Sequence, residues 1–71
     1  MTFNYSKLFV KVKDKFGTIK DFADAMDLSR IQMSYKLNNH SSWSQEDIVR
    51  ASALLEIEPH EVHSYFLETT N

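Results

Sequence analysis

The sequence has no cysteine, one glycine (Gly17) and one proline (Pro59). Without cysteine there is neither a disulfide framework nor a thiolate metal site, so packing alone must hold the chain together. A single glycine and a single proline are too few for the turns of a small β barrel or sandwich, which leaves helices. Long apolar runs are missing as well. The longest are three residues, Leu8-Phe9-Val10, Ala53-Leu54-Leu55 and Tyr65-Phe66-Leu67, far short of a bilayer span or a signal-peptide core. A soluble, cytoplasmic domain with no membrane partner is the expectation.

What is present is enough for one small globular domain. The 71 residues are 42% hydrophobic, and five Phe, three Tyr and one Trp supply the apolar area needed to offset chain entropy. A domain this short buries only about 60% of the surface its unfolded chain exposes, so the core is thin. The net charge of −2 gives no general electrostatic reason to bind nucleic acid. Its distribution is uneven. Residues 1–40 carry seven basic against four acidic residues, a net +3, and residues 41–71 carry Arg50 against six acidic residues, a net −5.

The punctuation predicts about five short helices. Tyr5, Leu8, Val12 and Phe16 recur at three- and four-residue steps and give a first helix, ended by Gly17. Thr18 is suited to cap a second helix whose inner side is Phe22, Ala23 and Met26, with Asp21 in its first turn. Ser29 caps a third, running to about Asn38, with Met33 and Leu37 inward. Trp43 is expected to anchor the polar loop 38–42 to the core. Ser44 and Asp47 open a fourth helix with Ile48, Ala51, Leu54 and Leu55 as its apolar set. Pro59 fits the first turn of a fifth, with Val62, Tyr65 and Phe66 inward. The core expectation is Leu8, Val12, Phe16, Phe22, Met26, Met33, Leu37, Leu54 and Phe66, with Phe9, Ile31, Tyr35 and Leu67 off the stripes. Consecutive large side chains on a helix cannot all face one core, so Tyr65-Phe66-Leu67 is the expected self-association element of any homodimer.

The most specific segment is Thr18–Asn39. Ala23 is small where two short helices must cross, Asp27 tolerates positive φ at the turn, Leu28 plugs it, and Ser29 caps the second of the two helices. With Phe3-Asn4-Tyr5-Ser6-Lys7-Leu8 before it, Leu37-Asn38-Asn39 at its end and Trp43 to Phe66 after it, the chain resembles the short phage Cro and repressor-type helix-turn-helix proteins over nearly its whole length. The resemblance implies an all-α, lambda-repressor-like domain, with the helix-turn-helix unit at about 18–38, and a sequence-specific regulator of a phage or prophage switch. Its recognition helix, about 30–38, would enter the major groove of double-stranded operator DNA. Carried over by position, Ser29 would hold a phosphate, Arg30, Ile31, Gln32, Ser34 and Tyr35 would face the groove, and Asn38 would hold the backbone after the helix. Lys20 and Lys36 complete that DNA-binding set. Arg30 suits direct readout, because a guanidinium reaches guanine O6 and N7 together, and Ile31 suits a thymine methyl.

A second function class fits the same body: an antirepressor or modulator that binds another phage repressor protein. Its motives are the acidic C-terminal half, Ile19 where many relatives of this kind place a phosphate-binding glutamine, and the apolar Ile31 and Tyr35. No cofactor and no catalysis are expected. His60 and His63 are spaced to share an ion but lack a third ligand of clear geometry, and the serines lack a His and acid arrangement.

Overall fold

A computed structural model describes residues 2–70. Four α-helices, α1 (Ser6–Phe16), α2 (Ile19–Ala25), α3 (Arg30–Leu37) and α4 (Gln45–Leu55), are followed by a 3-10 turn at Pro59–Glu61 and a π-helical turn at His63–Leu67. The fold is all-α in its core, as expected. None of the described helices is long and apolar enough to cross a membrane.

The starts of α2, α3 and α4 are fixed by side-chain caps, whereas α1 has none. The Thr18 hydroxyl accepts the Asp21 N–H at 3.1 Å. Ser29 and Gln32 close a reciprocal box, as do Ser44 and Asp47, with each side chain accepting the other's backbone N–H. The ends are less ordinary. All four α-helices stop at a residue of positive φ, and only Gly17 (82°) is a glycine; the others are Asp27 (59°), Asn39 (64°) and Glu56 (57°). After α2 the Leu28 N–H reaches Ala23 O and the Asp27 N–H reaches Asp24 O, the paired bonds of a Schellman stop. Asp27 thus does what the sequence predicted of it.

The core joins Leu8 and Val12 of α1, Phe22, Ala23 and Met26 at α2, Met33 of α3, and Ala51 and Leu55 of α4 with Ile57, Tyr65 and Phe66. Phe16, Leu37 and Leu54, expected inside, are partly buried and pack against it. Trp43 anchors its loop as expected, with its ring edge-on to Phe66 at 5.2 Å between centroids and tilted against Tyr5 at 6.2 Å.

Two features add to the sequence reading. The fifth helical segment is not a continuous α-helix: it opens as a 3-10 turn from Pro59 and then widens to π winding. Both Tyr65 and Phe66 are turned inward, leaving only Leu67 of the three-residue run exposed. The run therefore spends its two aromatic rings on the core and does not present the self-association surface expected of it. The second is a two-residue antiparallel ribbon that ties the two ends of the described chain, β1 (Thr2–Phe3) to β2 (Thr69–Thr70), with Thr2 opposite Thr70 and Phe3 opposite Thr69.

Candidate functional site

The segment 18–38 consists of α2, the turn Met26–Ser29 and α3. Ala23 is fully buried at the α2–α3 crossing, and Arg50 of α4 donates from Nη1 to Met26 O at 3.2 Å, bracing the end of α2. One side of α3, represented by Met33, is fully buried. Three other rows differ in chemistry.

The outermost row is Ile31 and Tyr35, four residues apart and 67% and 54% exposed. The Tyr35 ring leans on His40 at 5.7 Å between centroids. The row facing α1 is Arg30, Ser34 and Asn38. These residues form the rim of a cleft of about 180 Å³ whose apolar walls are Phe9, Ile19 and Leu37. Asn38 is held there by its side-chain amide, which donates to Ser34 O at 2.8 Å. Ile19 is half-buried and serves as cleft wall. Arg30 makes no ion pair among the described residues.

The third row faces α4 and is spent on structure. Lys36 Nζ donates to Asp47 Oδ2 at 2.8 Å and to Ser42 O at 2.9 Å, and it lies 5.9 Å from the Trp43 ring centroid. The Lys36 and Asp47 side chains are only 14% and 18% exposed. Burial pushes the Asp47 carboxyl up, but Lys36 and the Ser44 N–H and hydroxyl outweigh it and hold the carboxyl below its ordinary range. Gln32 accepts the Ser29 N–H through Oε1 at 2.8 Å, and the Ser29 hydroxyl accepts the Gln32 N–H at 3.1 Å. On α2, Lys20 pairs with Asp24 at 3.0 Å.

Of the nine residues singled out, the structure gathers Arg30, Ile31, Ser34, Tyr35 and Asn38 on one accessible surface. Ser29 and Gln32 cap the start of α3, Lys20 lies on α2 with its ammonium against Asp24, and Lys36 is turned toward α4. Missed by the sequence reading was the part that α1 contributes. Phe9, noted as off-stripe, and Val10, not noted, are 45% and 66% exposed, and Phe9 is a wall of the α3 cleft. Part of the signal was available in Leu8-Phe9-Val10: if Leu8 is buried, Val10, about 200° round the helix from it, must turn away. His63, weighed as a metal ligand, has its Nδ1 3.6 Å from Glu68 Oε2 on the exposed surface.

Residues 1–69 match the family described as protein of unknown function (DUF739). The chain belongs to that family. Within the solved structures, this DUF739 chain is similar to the modulator of repression (MOR) of the temperate bacteriophage TP901-1 from Lactococcus lactis, known from a solution structure. The two are 39% identical, the likeness covers 93% of this chain and 89% of that one, and the TM-score is 0.81. No curated protein matches the chain.

Proposed function

We propose that this DUF739 chain is a phage modulator of repression that acts by binding another regulator protein, without catalysis or a cofactor, in the cytoplasm of the bacterial host. The observation that carries this reading is the chemistry of α3. Its outermost groups are an isoleucine and a tyrosine, while Lys36 is held on Asp47 with little exposure and Ser29 and Gln32 cap each other; of the cationic groups nearby, Lys20 is in an exposed pair with Asp24 and Arg30 is unpaired among the described residues. An exposed apolar row rimmed by polar groups fits a protein partner, whose side chains can exclude water from it. A phosphate backbone cannot. The net charge of −2 points the same way. The likeness to MOR, whose name describes action on repression, supports the reading at 39% identity across nearly the whole chain. It replaces operator binding by α3 as the preferred function of the same surface.

Salt and one substitution test it. Binding to the purified repressor of the same phage is measured by calorimetry at low and high salt, alongside gel retardation of operator-region DNA. The expected result is repressor binding that weakens less than about tenfold over a salt range in which a contact to six or more phosphates would lose about 10³-fold or more. Tyr35→Ala is expected to cost about 1–2 kcal/mol of binding, as truncation of a central aromatic does, without unfolding the chain. DNA retardation that is steeply salt-dependent, with no repressor binding, would overturn the proposal.

A further inference from the structure

The cleft beside α3 does not end at Phe9. Phe9 and Leu37 are also walls of a wider, open groove formed with Phe3, Tyr5, Ser6 and Val10. Ser6 and Val10 in turn border a third depression, against Lys7, Lys11, Asp14 and Tyr65. Because each depression shares two residues with the next, they form one path along the outer side of α1, starting at Arg30 on α3.

The charge on this path is mostly basic: Arg30 lies at one end and Lys7 and Lys11, with Asp14, at the other, while the wide middle groove has no charged lining residue. The α1 segment Ser-Lys-Leu-Phe-Val-Lys-Val-Lys-Asp-Lys-Phe contains four lysines and one aspartate. Lys15 is paired with Glu56 at 2.6 Å, but Lys7, Lys11 and Lys13 have no ion-pair partner among the described residues. Lys7 Nζ lies 4.6 Å from the Tyr65 ring centroid and Lys13 Nζ 5.8 Å from that of Phe9, so each ammonium sits near an aromatic face. Helical spacing sets Lys7 and Lys11 on one flank of Val10 and Lys13 on the other, with Asp14 in line beyond Val10.

We propose that this groove receives an acidic amphipathic helix of the repressor partner, with its apolar side on Phe9, Val10 and Leu37 and its carboxylates on Lys7, Lys11 and Lys13. The inference rests on the protein-binding reading and names the chemistry of the partner segment. An apolar patch of Phe9, Val10 and Leu37 with ammonium groups beside it complements a helix with apolar residues three and four apart and Asp or Glu beside them. The same lysines would attract DNA phosphates, but Phe9 and Val10 between them would then be desolvated against a polar backbone with nothing gained.

The test uses the full chain and the purified repressor of the same phage. Binding is measured for the native chain, for Val10→Ser and for Lys7→Glu combined with Lys11→Glu, and amide shifts are followed on the ¹⁵N-labelled chain. A zero-length carbodiimide then cross-links lysines to carboxylates for mapping by mass spectrometry. The expected result is at least about tenfold weaker binding for both variants, amide shifts over Ser6–Asp14 as well as α3, and cross-links from Lys7 or Lys11 to carboxylates spaced three or four apart in one repressor segment. Both substitutions are at surface positions, and unchanged melting temperatures establish that the fold is intact. Repressor binding that leaves α1 amides unmoved and is indifferent to both variants overturns this proposal while the proposed function stands. Absence of repressor binding overturns both. Shifts of the same α1 amides with a DNA duplex but not with repressor assign the lysines to phosphates and also overturn it.

Discussion

At the scale of single residues, Lys36 has the clearest division between what its type suggests and what its position requires. A lysine near the end of an exposed short helix is ordinarily a solvated charge, yet its ammonium is enclosed by Asp47, Ser42 O and the Trp43 ring. A charge-assisted bond of low exposure is worth more than a surface pair, and removing one partner strands the other. Lys36→Ala is expected to cost about 1.5–3 kcal/mol of stability, read from denaturant melts. The pair also sets an acid dependence. Asp47 is pushed up by burial and pulled down further by Lys36 and Ser44, so its folded value lies below its ordinary 3.8. A carboxyl of this kind contributes stability that is fully present above the unfolded value and lost as pH falls through the folded one. Stability should therefore fall as the pH drops below about 4, and less steeply in Lys36→Ala. Glu56 leaves a remainder in that variant, since its hydrogen bond to Lys15 also holds its carboxyl below the ordinary range. An unchanged slope would show that Asp47 draws its shift from Ser44 alone.

At the scale of elements, the C-terminal turns show why one apolar run can be read two ways. Tyr65 and Phe66, neighbours in the π turn, are both buried, and Leu67, the third of the run, is the one left exposed. Phe66→Ala should cost about 3–5 kcal/mol, the penalty for emptying an aromatic site in a closed core. Leu67→Ser should change stability by no more than about 0.5 kcal/mol and leave the sedimentation behaviour of the chain as it was. A shift in sedimentation would return Leu67 to an interface. The same element marks the boundary of what the sequence made legible. Helix starts were readable, because Thr18, Ser29, Ser44 and Pro59 announce them through side-chain chemistry or a missing N–H. Helix ends were readable at Gly17 and, with the Schellman logic of Asp27-Leu28, at one more place. Asn39 and Glu56 adopt the same left-handed conformation without glycine, and a glutamate gives little sign of it. Winding number is less visible still, since α and π turns draw on the same apolar residues. The α3 part of the candidate site emerged from local pattern, whereas the α1 part depends on which helix lies beside Phe9, a tertiary fact.

At the scale of the whole molecule, the termini and the exit of α3 are tied at one point. Asn39, 36 residues from Phe3, accepts the Phe3 N–H through Oδ1 at 2.9 Å and donates from Nδ2 to Phe3 O at 2.9 Å. Its amide thereby takes the place of a strand on the outer edge of β1, whose other edge pairs with β2 and where the Asn4 N–H reaches Glu68 O at 2.7 Å. A two-stranded ribbon of two residues per strand has too little apolar face to persist unaided. Phe3 and Tyr5, stacked at 6.1 Å between centroids, add packing on the same side and form the far wall of the α1 groove. The clasp therefore positions part of the proposed docking path, although none of its bonds lies in α1. Asn39→Gly separates its two roles. Glycine keeps the positive φ of 64° and relieves its strain, so α3 should still end where it does. Two backbone partners at Phe3 are lost, at a net cost of about 1 kcal/mol or less. Hydrogen exchange is the deciding measurement: the Phe3 and Asn4 amides should exchange faster while the Asn38 amide, bonded to Ser34 O, keeps its protection. If Phe3 and Asn4 stay as protected as in the native chain, the ribbon and aromatic stack hold the N-terminal segment without Asn39, and the far wall of the groove is independent of α3.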